Sequence, residues 1–400
     1  GSRAASLSSV MISQLFASEY NTDKKLLTFS DSVQDAAHRA GFFESRTYRF
    51  NVRSAIQQYV DQAPEGLSLS EATRQIAGHY TQMHSDEAFV SNFIAPDMRW
   101  LRDYDQMLEQ GTLPDESDIM TKVQRRLSWE LWSEYGFRAR IGRTLEKTGA
   151  STLQVDTNRL QSAVDALVPE LQNNVGDLRA VSTADVTRFV RGLIAHLKNQ
   201  GAIYHPELED YIEQGGNSYL LNRQHHLPNY GYRSRLPAFV ASRSTQRFDP
   251  VLTPAGSADS WLQAWATKCF GEYDPMLSGV MEKLYDCVLG VLVSNSLLER
   301  RETSKGIRVW GIRPDALQVT TEVRQLRCDT CDHNASVAQG AVNDWQGTPC
   351  LRYQCTGRYA SEERAPNYYR QLYTQSARRR IIAREHTGLL ERDEREALEK

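Results

Sequence analysis

Four cysteines have the spacing of a metal site. Two residues separate Cys328 from Cys331, four separate Cys350 from Cys355, and eighteen lie between the pairs. Two such pairs can present four thiolates to one tetrahedral Zn²⁺ ion, as zinc ribbons do. The intervening residues are polar and include glycine, so we expect the metal to supply folding energy at a closed, structural site. The alternative is two reduced cysteine pairs in a loop.

The other candidate ligands give a weaker signal. His333 could replace one sulfur, although four cysteines already complete a tetrahedral set. Cys269 and Cys287 fall on predicted helical faces, where we interpret them as small apolar residues. Six cysteines in 400 residues do not form a disulfide scaffold. Cysteines spaced for metal favour a reducing, intracellular setting.

Basic residues interleaved with aromatic residues indicate a possible nucleic-acid surface. The formal net charge is −3, so only a local patch could attract phosphates. Residues 217–250 contain such a patch, which includes Arg233, Arg235, Arg243 and Arg247 among tyrosines and phenylalanines. Arginine and exposed aromatic side chains together suit single-stranded nucleic acid. The alternative is a solvated surface with a few packed tyrosines.

Nucleotide-binding motifs are missing from the sequence. No Gly-x-x-x-x-Gly-Lys-Ser/Thr segment is present, so there is no loop of that type for phosphates. Asp86-Glu-Ala-Phe89 is similar to an acidic metal-binding box, but no apolar strand precedes it. We interpret it as the start of a helix with Asp86 at the cap.

Hydrophobic periodicity predicts a largely helical chain. An apolar strand at 26–29 leads into a helix whose cap is offered by Ser30, Asp31 and Ser32. Further helices are predicted at 69–80, 86–94, 119–132, 160–171, 186–200, 257–267 and 276–294. Residues 203–257 have no sustained period and are predicted to form a long basic loop.

A hairpin is predicted directly after the helix at 276–294. Strands at 297–302 and 307–312 flank a turn that contains Gly306. Two helices followed by such a hairpin have the order of a winged-helix domain. The hairpin residues placed to contact a DNA groove or a duplex junction are Arg300, Arg301, Lys305 and Arg308.

The two ends of the chain resemble the second RecA-like domain of large superfamily 2 DEAD/DEAH-box helicases. Leu26-Leu-Thr-Phe-Ser-Asp-Ser-Val-Gln-Asp-Ala-Ala37 looks like their motif IV. Ile381-Ile-Ala-Arg-Glu-His-Thr-Gly-Leu-Leu390 looks like their His-x-Gly-x-Leu segment. Among these helicases, the chain resembles the Lhr-like and mitomycin-repair-factor-like group and the antiphage helicases of the Druantia and DISARM type.

This resemblance implies ATP-driven movement on nucleic acid by a complete parent protein that uses ATP and Mg²⁺. It implies that Ser30, Asp31 and Gln34 lie near the tracking strand, and that His386 and Thr387 lie at the neighbouring strand end. The sequence departs from the family because it lacks motifs I to III, V and VI. We therefore expect no ATP hydrolysis by this chain alone and predict no catalytic residue in it.

The predicted fold is mainly α with α/β portions. Its modules are a partial RecA-like α/β unit built from both termini, a helical insertion, a winged-helix region and a zinc-ribbon-like module. The predicted boundaries are 1–45 and 377–400 for the RecA-like parts, 46–180 for the helical insertion, 181–318 for the winged-helix region and 319–376 for the zinc module.

Three functions fit these features. The first is an accessory region of a helicase or translocase that grips single-stranded or forked DNA, in bacterial antiphage defence or repair. The second is a docking module for a protein partner of the same system, which the net charge of −3 suits better. The third is a free-standing winged-helix and zinc-ribbon regulator. The cysteine spacing and the resemblance imply a location in the bacterial cytoplasm. We expect no membrane contact, because no apolar run reaches the length of a spanning helix.

Overall fold

The computed structural model describes residues 11, 12, 15, 33–137, 143–176, 178–231, 235–254, 257–362 and 367–375. Over these residues the chain is mainly α-helical and has three small β-sheets, so the predicted fold class is confirmed at that level. The predicted strands at 26–29 and in 381–390 lie outside the described residues. The RecA-like unit, the winged-helix and zinc-ribbon assignments and the domain boundaries therefore stay predictions.

Fourteen helices lie within the described ranges. In chain order they are α1 (Val33–Gln62), α2 (Leu69–Met83), α3 (Asp86–Phe93), α4 (Arg102–Gln110), α5 (Ile119–Tyr135), α6 (Leu145–Thr148), α7 (Thr157–Asn174), α8 (Thr183–Gln200), α9 (Glu209–Glu213), α10 (Tyr219–Asn222), α11 (Trp261–Phe270), α12 (Met281–Ser294), α13 (Val342–Trp345) and α14 (Tyr368–Gln375).

The seven helices predicted between residues 69 and 294 are all present, with ends that differ by a few residues. One predicted cap is wrong. α3 is capped by Ser85, whose hydroxyl accepts a hydrogen bond from Ala88 N at 3.3 Å, and Asp86 is already the first helical residue. α11 begins later than predicted because Ser260 and Gln263 form a capping box.

Nine short strands form the three sheets of the described part of the chain. They are β1 (Thr152–Val155), β2 (Val240–Ala241), β3 (Asp249–Pro250), β4 (Leu298–Glu302), β5 (Arg308–Ile312), β6 (Leu317–Thr320), β7 (Val323–Cys328), β8 (Asn334–Ala338) and β9 (Tyr359–Ser361). Their orders are β1-β6, β3-β2-β5-β4 and β8-β7-β9. The antiparallel β1-β6 pair was not predicted from the sequence.

The hairpin predicted after α12 is confirmed. β4 and β5 pair antiparallel, with Arg300 opposite Trp310 and Arg301 opposite Val309. The segment at 203–257 is less irregular than predicted, because it contains α9, α10, β2 and β3. β2 adds to the hairpin by pairing with β5.

The described residues form two compact units. One draws on 33–59, Ala77–Leu127 and 371–375, and the other on Val60–Ile76 and Ser128–Arg370. The second unit contains the hairpin and the four clustered cysteines. None of the helices described here combines the length and the apolar content needed to cross a bilayer.

The core of the second unit is centred on α8. This helix packs against α7 and α11, and Phe189 contacts Phe270 with ring centroids 4.7 Å apart. The indole N–H of Trp265 donates to Phe189 O at 3.1 Å, and Trp265 is only 1% exposed. Gly192 lets this indole reach the helix backbone, because a Cβ at that position would lie 2.0 Å from Trp265 Cζ2.

We expect Gly192→Ala to destabilise the protein. The added methyl group overlaps the Trp265 ring, and overpacking of this kind costs about 1–3 kcal/mol. Gly290→Ala on α12 is the matched control, because its Cβ would meet nothing within 4 Å, and alanine should add about 0.5–1 kcal/mol of stability there. Denaturant unfolding followed by circular dichroism measures both. Equal stability of the two variants would contradict the packing described.

Candidate metal centre

The four clustered cysteines lie in two turns beside the β8-β7-β9 sheet. Cys328 is the last residue of β7, and Cys331 follows in the turn towards β8. The backbone N–H of Cys328 donates to His333 O at 2.9 Å, and that of Cys350 donates to Gly357 O at 2.8 Å. Each cysteine pair is therefore held in a closed backbone turn.

The four sulfur atoms lie close enough together to hold one metal ion. All lie within 4.8 Å of one another. The Sγ atoms of Cys328 and Cys355 are 3.7 Å apart, and those of Cys331 and Cys350 are 3.6 Å apart. Zn–S bonds of about 2.3 Å in tetrahedral geometry imply S···S distances of about 3.8 Å. None of the six cysteines forms a disulfide, and the four could hold a metal ion.

Backbone N–H groups orient the sulfurs. Arg352 N donates to Cys350 Sγ and Gly357 N donates to Cys355 Sγ, each at 3.4 Å. Burial would raise the pKa of Cys331, but hydrogen bonds from His333 N–H and from neighbouring side chains bring that pKa to about 7. Burial raises the pKa of Cys350. Because thiolates are the metal-binding form, a bound cation would have to displace the proton from Cys350.

His333 is not one of the clustered ligands. Its Nδ1 atom lies 2.7 Å from the hydroxyl oxygen of Tyr359. That hydroxyl also accepts from Leu351 N at 3.3 Å. Tyr359 is 1% exposed and packs in a small buried cluster with Leu326 and Trp345. His333 and Tyr359 thus brace the turn that contains Cys350.

Two backbone features allow the cysteine turns to form. Asp332 has a left-handed backbone (φ 57°), which closes the turn after Cys331; aspartate tolerates this conformation better than most residues. A Cβ on Gly357 would lie 2.6 Å from Cys328 Sγ and 2.4 Å from Asp329 Oδ1. Only glycine leaves room for the sulfurs at this position. The sequence signal that could have identified Gly357 is its position two residues after Cys355.

Helix α11 also contacts the second cysteine turn. Lys268 Nζ donates to Cys350 O at 3.0 Å and to Arg352 O at 2.7 Å. Trp261 Nε1 donates to Leu351 O at 2.8 Å. Neither residue was predicted from the sequence, because more than eighty residues separate them from the turn they contact.

The hairpin residues predicted to contact nucleic acid are not members of the cysteine cluster. On the hairpin, Arg300, Lys305 and Arg308 are exposed, whereas Arg301 is half-buried. Arg301 makes ion pairs with Glu299 at 2.9 Å and Glu209 at 3.5 Å.

The other predicted contacts include three arginines in 235–247 and several residues outside the described ranges. Arg235 and Arg243 are exposed and Arg247 is half-buried. The Nε atom of Arg247 is buried without a hydrogen-bond partner among the described residues. Gln34 lies in α1, of which only the backbone is described at that position. The predicted residues that lie outside the described ranges are Ser30, Asp31, Arg233, His386 and Thr387.

Comparisons with protein-family models, with curated proteins and with solved structures found no match to this chain.

We expect the purified protein to bind one Zn²⁺ ion per chain. Cys328→Ser should abolish stoichiometric binding, because oxygen replaces one of the four sulfurs. Cys287→Ser is the matched control, since Cys287 is on α12 and is not part of the cluster. Elemental analysis after dialysis against a weak chelator measures the metal content. Zinc retained at one equivalent by Cys328→Ser would contradict the four-sulfur site.

We expect Gly357→Ala to weaken zinc binding by about 10–100-fold, the range seen when groups that orient metal ligands are disturbed. The added Cβ would force Cys328 Sγ or the Asp329 side chain to move. Gly340→Ala, whose Cβ would meet nothing within 4 Å, should bind zinc as the wild type does. Competition with a chromophoric chelator gives both affinities. A wild-type affinity for Gly357→Ala would show that the turns are looser than described.

Proposed function

We propose that this chain is an accessory region of an ATP-dependent superfamily 2 helicase or translocase, and that it grips DNA through the β4–β5 hairpin. The resemblance of the two terminal segments to motif IV and to the His-x-Gly-x-Leu segment supports the motor assignment. The same resemblance suggests a role in bacterial antiphage defence or repair. The observation on which the DNA contact rests is the set of exposed cations on the hairpin.

Strand alternation sorts the hairpin arginines into two roles. Arg300 is opposite Trp310 and Glu302 is opposite Arg308, and cross-strand neighbours share a face. Arg301 projects from the opposite face, because successive side chains of a strand alternate between the two faces. Its guanidinium lies 4.5 Å from the centroid of the Tyr204 ring and is ion-paired with Glu299. We therefore assign Arg301 to packing of the hairpin base.

The remaining hairpin cations reach solvent, although the Arg308 guanidinium also lies 5.6 Å from the centroid of the Trp310 ring. Arg300, Lys305 and Arg308 are exposed, and Arg308 is positioned by its backbone. Its N–H donates to Ser242 Oγ at 3.2 Å, and its carbonyl accepts from Ser242 N at 2.8 Å. The next residue, Arg243, is also exposed. Within the two hairpin strands Glu302 is the one carboxylate on this face, so the local charge remains positive, as a DNA contact requires.

The four-cysteine centre supports this proposal as a rigid structural element. We propose zinc as its metal, because four thiolates in tetrahedral arrangement suit Zn²⁺ and leave no open position for substrate. The cysteines would hold the ion, and the ion would supply no chemistry beyond fixing the two turns. The cysteine module would then brace the unit that contains the hairpin.

We expect the protein to bind forked and single-stranded DNA, with affinity that falls as salt rises. Replacing Arg300, Lys305 and Arg308 by Gln should weaken binding and lower the slope of log K against log salt by about one unit for each phosphate that is no longer neutralised. Arg179→Gln is the control, because Arg179 is exposed on a short helical turn away from the hairpin sequence. Fluorescence anisotropy at several salt concentrations measures each protein.

Two results would count against DNA gripping. One is the absence of binding at low salt by the zinc-loaded wild type. The other is an unchanged salt slope in the triple variant. Either result, together with salt-insensitive binding to a partner protein, would favour the docking function, which the net charge of −3 already suits.

A further inference from the structure

We propose that helix α11 contributes to the metal affinity of the four-cysteine centre. Lys268 and Trp261 position the turn that supplies two of the four sulfurs, so metal affinity and the packing of α11 are linked. This inference goes beyond DNA gripping and does not depend on it.

Three successive carbonyl groups of the turn accept hydrogen bonds from this one helix. Lys268 Nζ donates to Cys350 O at 3.0 Å and to Arg352 O at 2.7 Å, and Trp261 Nε1 donates to the intervening Leu351 O at 2.8 Å. The Tyr353 hydroxyl donates back to Asp259 O at 2.6 Å. The backbone of the turn is thus held at three consecutive carbonyl groups, and the Tyr353 side chain adds a fourth contact.

These contacts act on the sulfurs through rigid peptide planes. The Leu351 carbonyl and the Arg352 N–H belong to one planar peptide unit. Trp261 holds the carbonyl side of that unit, and its N–H side donates to Cys350 Sγ at 3.4 Å. The preceding peptide unit is held between Lys268 and the Tyr359 hydroxyl. Rotation of either unit would change the direction from which Cys350 meets a metal.

Trp261 is itself held in place. The His196 ring stacks on its indole with centroids 3.6 Å apart and planes 5° apart. Trp265 stacks at 5.3 Å and 13°. Residues seven apart on a helix lie on the same side, so Trp261 and Lys268 meet the turn together. Trp261 and Lys268 therefore connect the helical core to the second cysteine turn.

Positive charge near the sulfurs is a second reason to expect that these residues raise the metal affinity. A divalent ion with four thiolates has a formal charge of −2, and a nearby cation stabilises it. The half-buried Lys268 ammonium lies on the backbone of Cys350. Arg352, whose pKa is raised by the neighbouring Cys331, adds a second positive group.

Zinc affinity of variants tests the positioning role. Lys268→Met keeps the alkyl chain but removes the charge and the donors, and we expect its zinc affinity to fall by about 10–100-fold. Trp261→Phe removes the indole N–H together with part of the stacked ring system and should lower affinity by about tenfold. Lys268→Arg should restore most of the affinity. Lys283→Met, at an exposed position on α12, is the matched control and should bind as the wild type does.

Hydrogen exchange of the unaltered protein gives an independent test. Linkage requires that zinc stabilise the α11 contact by the factor by which that contact strengthens zinc binding. We therefore expect chelation to speed amide exchange in 261–270 as well as in 350–357. A general loss of structure would speed exchange in α7 equally, and so serves as the comparison.

The proposal is overturned if Lys268→Met binds zinc as tightly as the wild type, or if chelation changes exchange only within 323–361. It is also overturned if the wild-type chain binds no zinc. Should Lys268→Met fail to fold, exchange in the wild type decides the question. No measurement involves DNA, so failure of the DNA-gripping function would leave these results unaffected.

Discussion

The approach of four cysteine sulfurs to within 4.8 Å of one another is the constraint on which the module around them depends. Four thiolates at that distance repel one another, and a divalent cation turns the repulsion into attraction. The buried cluster beneath them is small and centres on Leu326, Trp345 and Tyr359. A metal ion held by the four cysteines would add binding free energy that helps to offset the ordering of the two tight turns.

The need to hold four sulfurs close together also explains why the cysteine module contacts helix α11. The capping box at Ser260 and Gln263 fixes where α11 begins, and that start places Trp261 and Lys268 on the side facing the second cysteine turn. A local feature of the sequence therefore begins the helix whose side chains contact a turn more than eighty residues away.

Local spacing made much of this arrangement predictable. The cysteine pattern predicted the sulfur cluster, and hydrophobic periodicity predicted the helices from 69 to 294 and the β4–β5 hairpin. The β1–β6 pairing was missed because each strand has four residues and Thr152 pairs with the distant Thr320. The roles of Lys268 and Trp261 were missed for a related reason. A side chain that donates to a distant carbonyl leaves no periodic pattern in the sequence.

The hairpin shows that residue type alone is insufficient to predict which arginines can contact DNA. Arg300 and Arg301 are adjacent and chemically identical, so both were predicted to contact DNA. In the hairpin they project from opposite faces, and Arg301 is ion-paired and lies over Tyr204. An ion-paired arginine has little free charge to offer a phosphate, because its carboxylate partner would have to be displaced first. Within the hairpin, the proposed DNA contact would then depend on Arg300, Lys305 and Arg308, which limits the hairpin to a few phosphates. Few phosphates mean weak affinity, which suits an accessory grip that a motor must release at each step better than it suits a regulator that remains on one site.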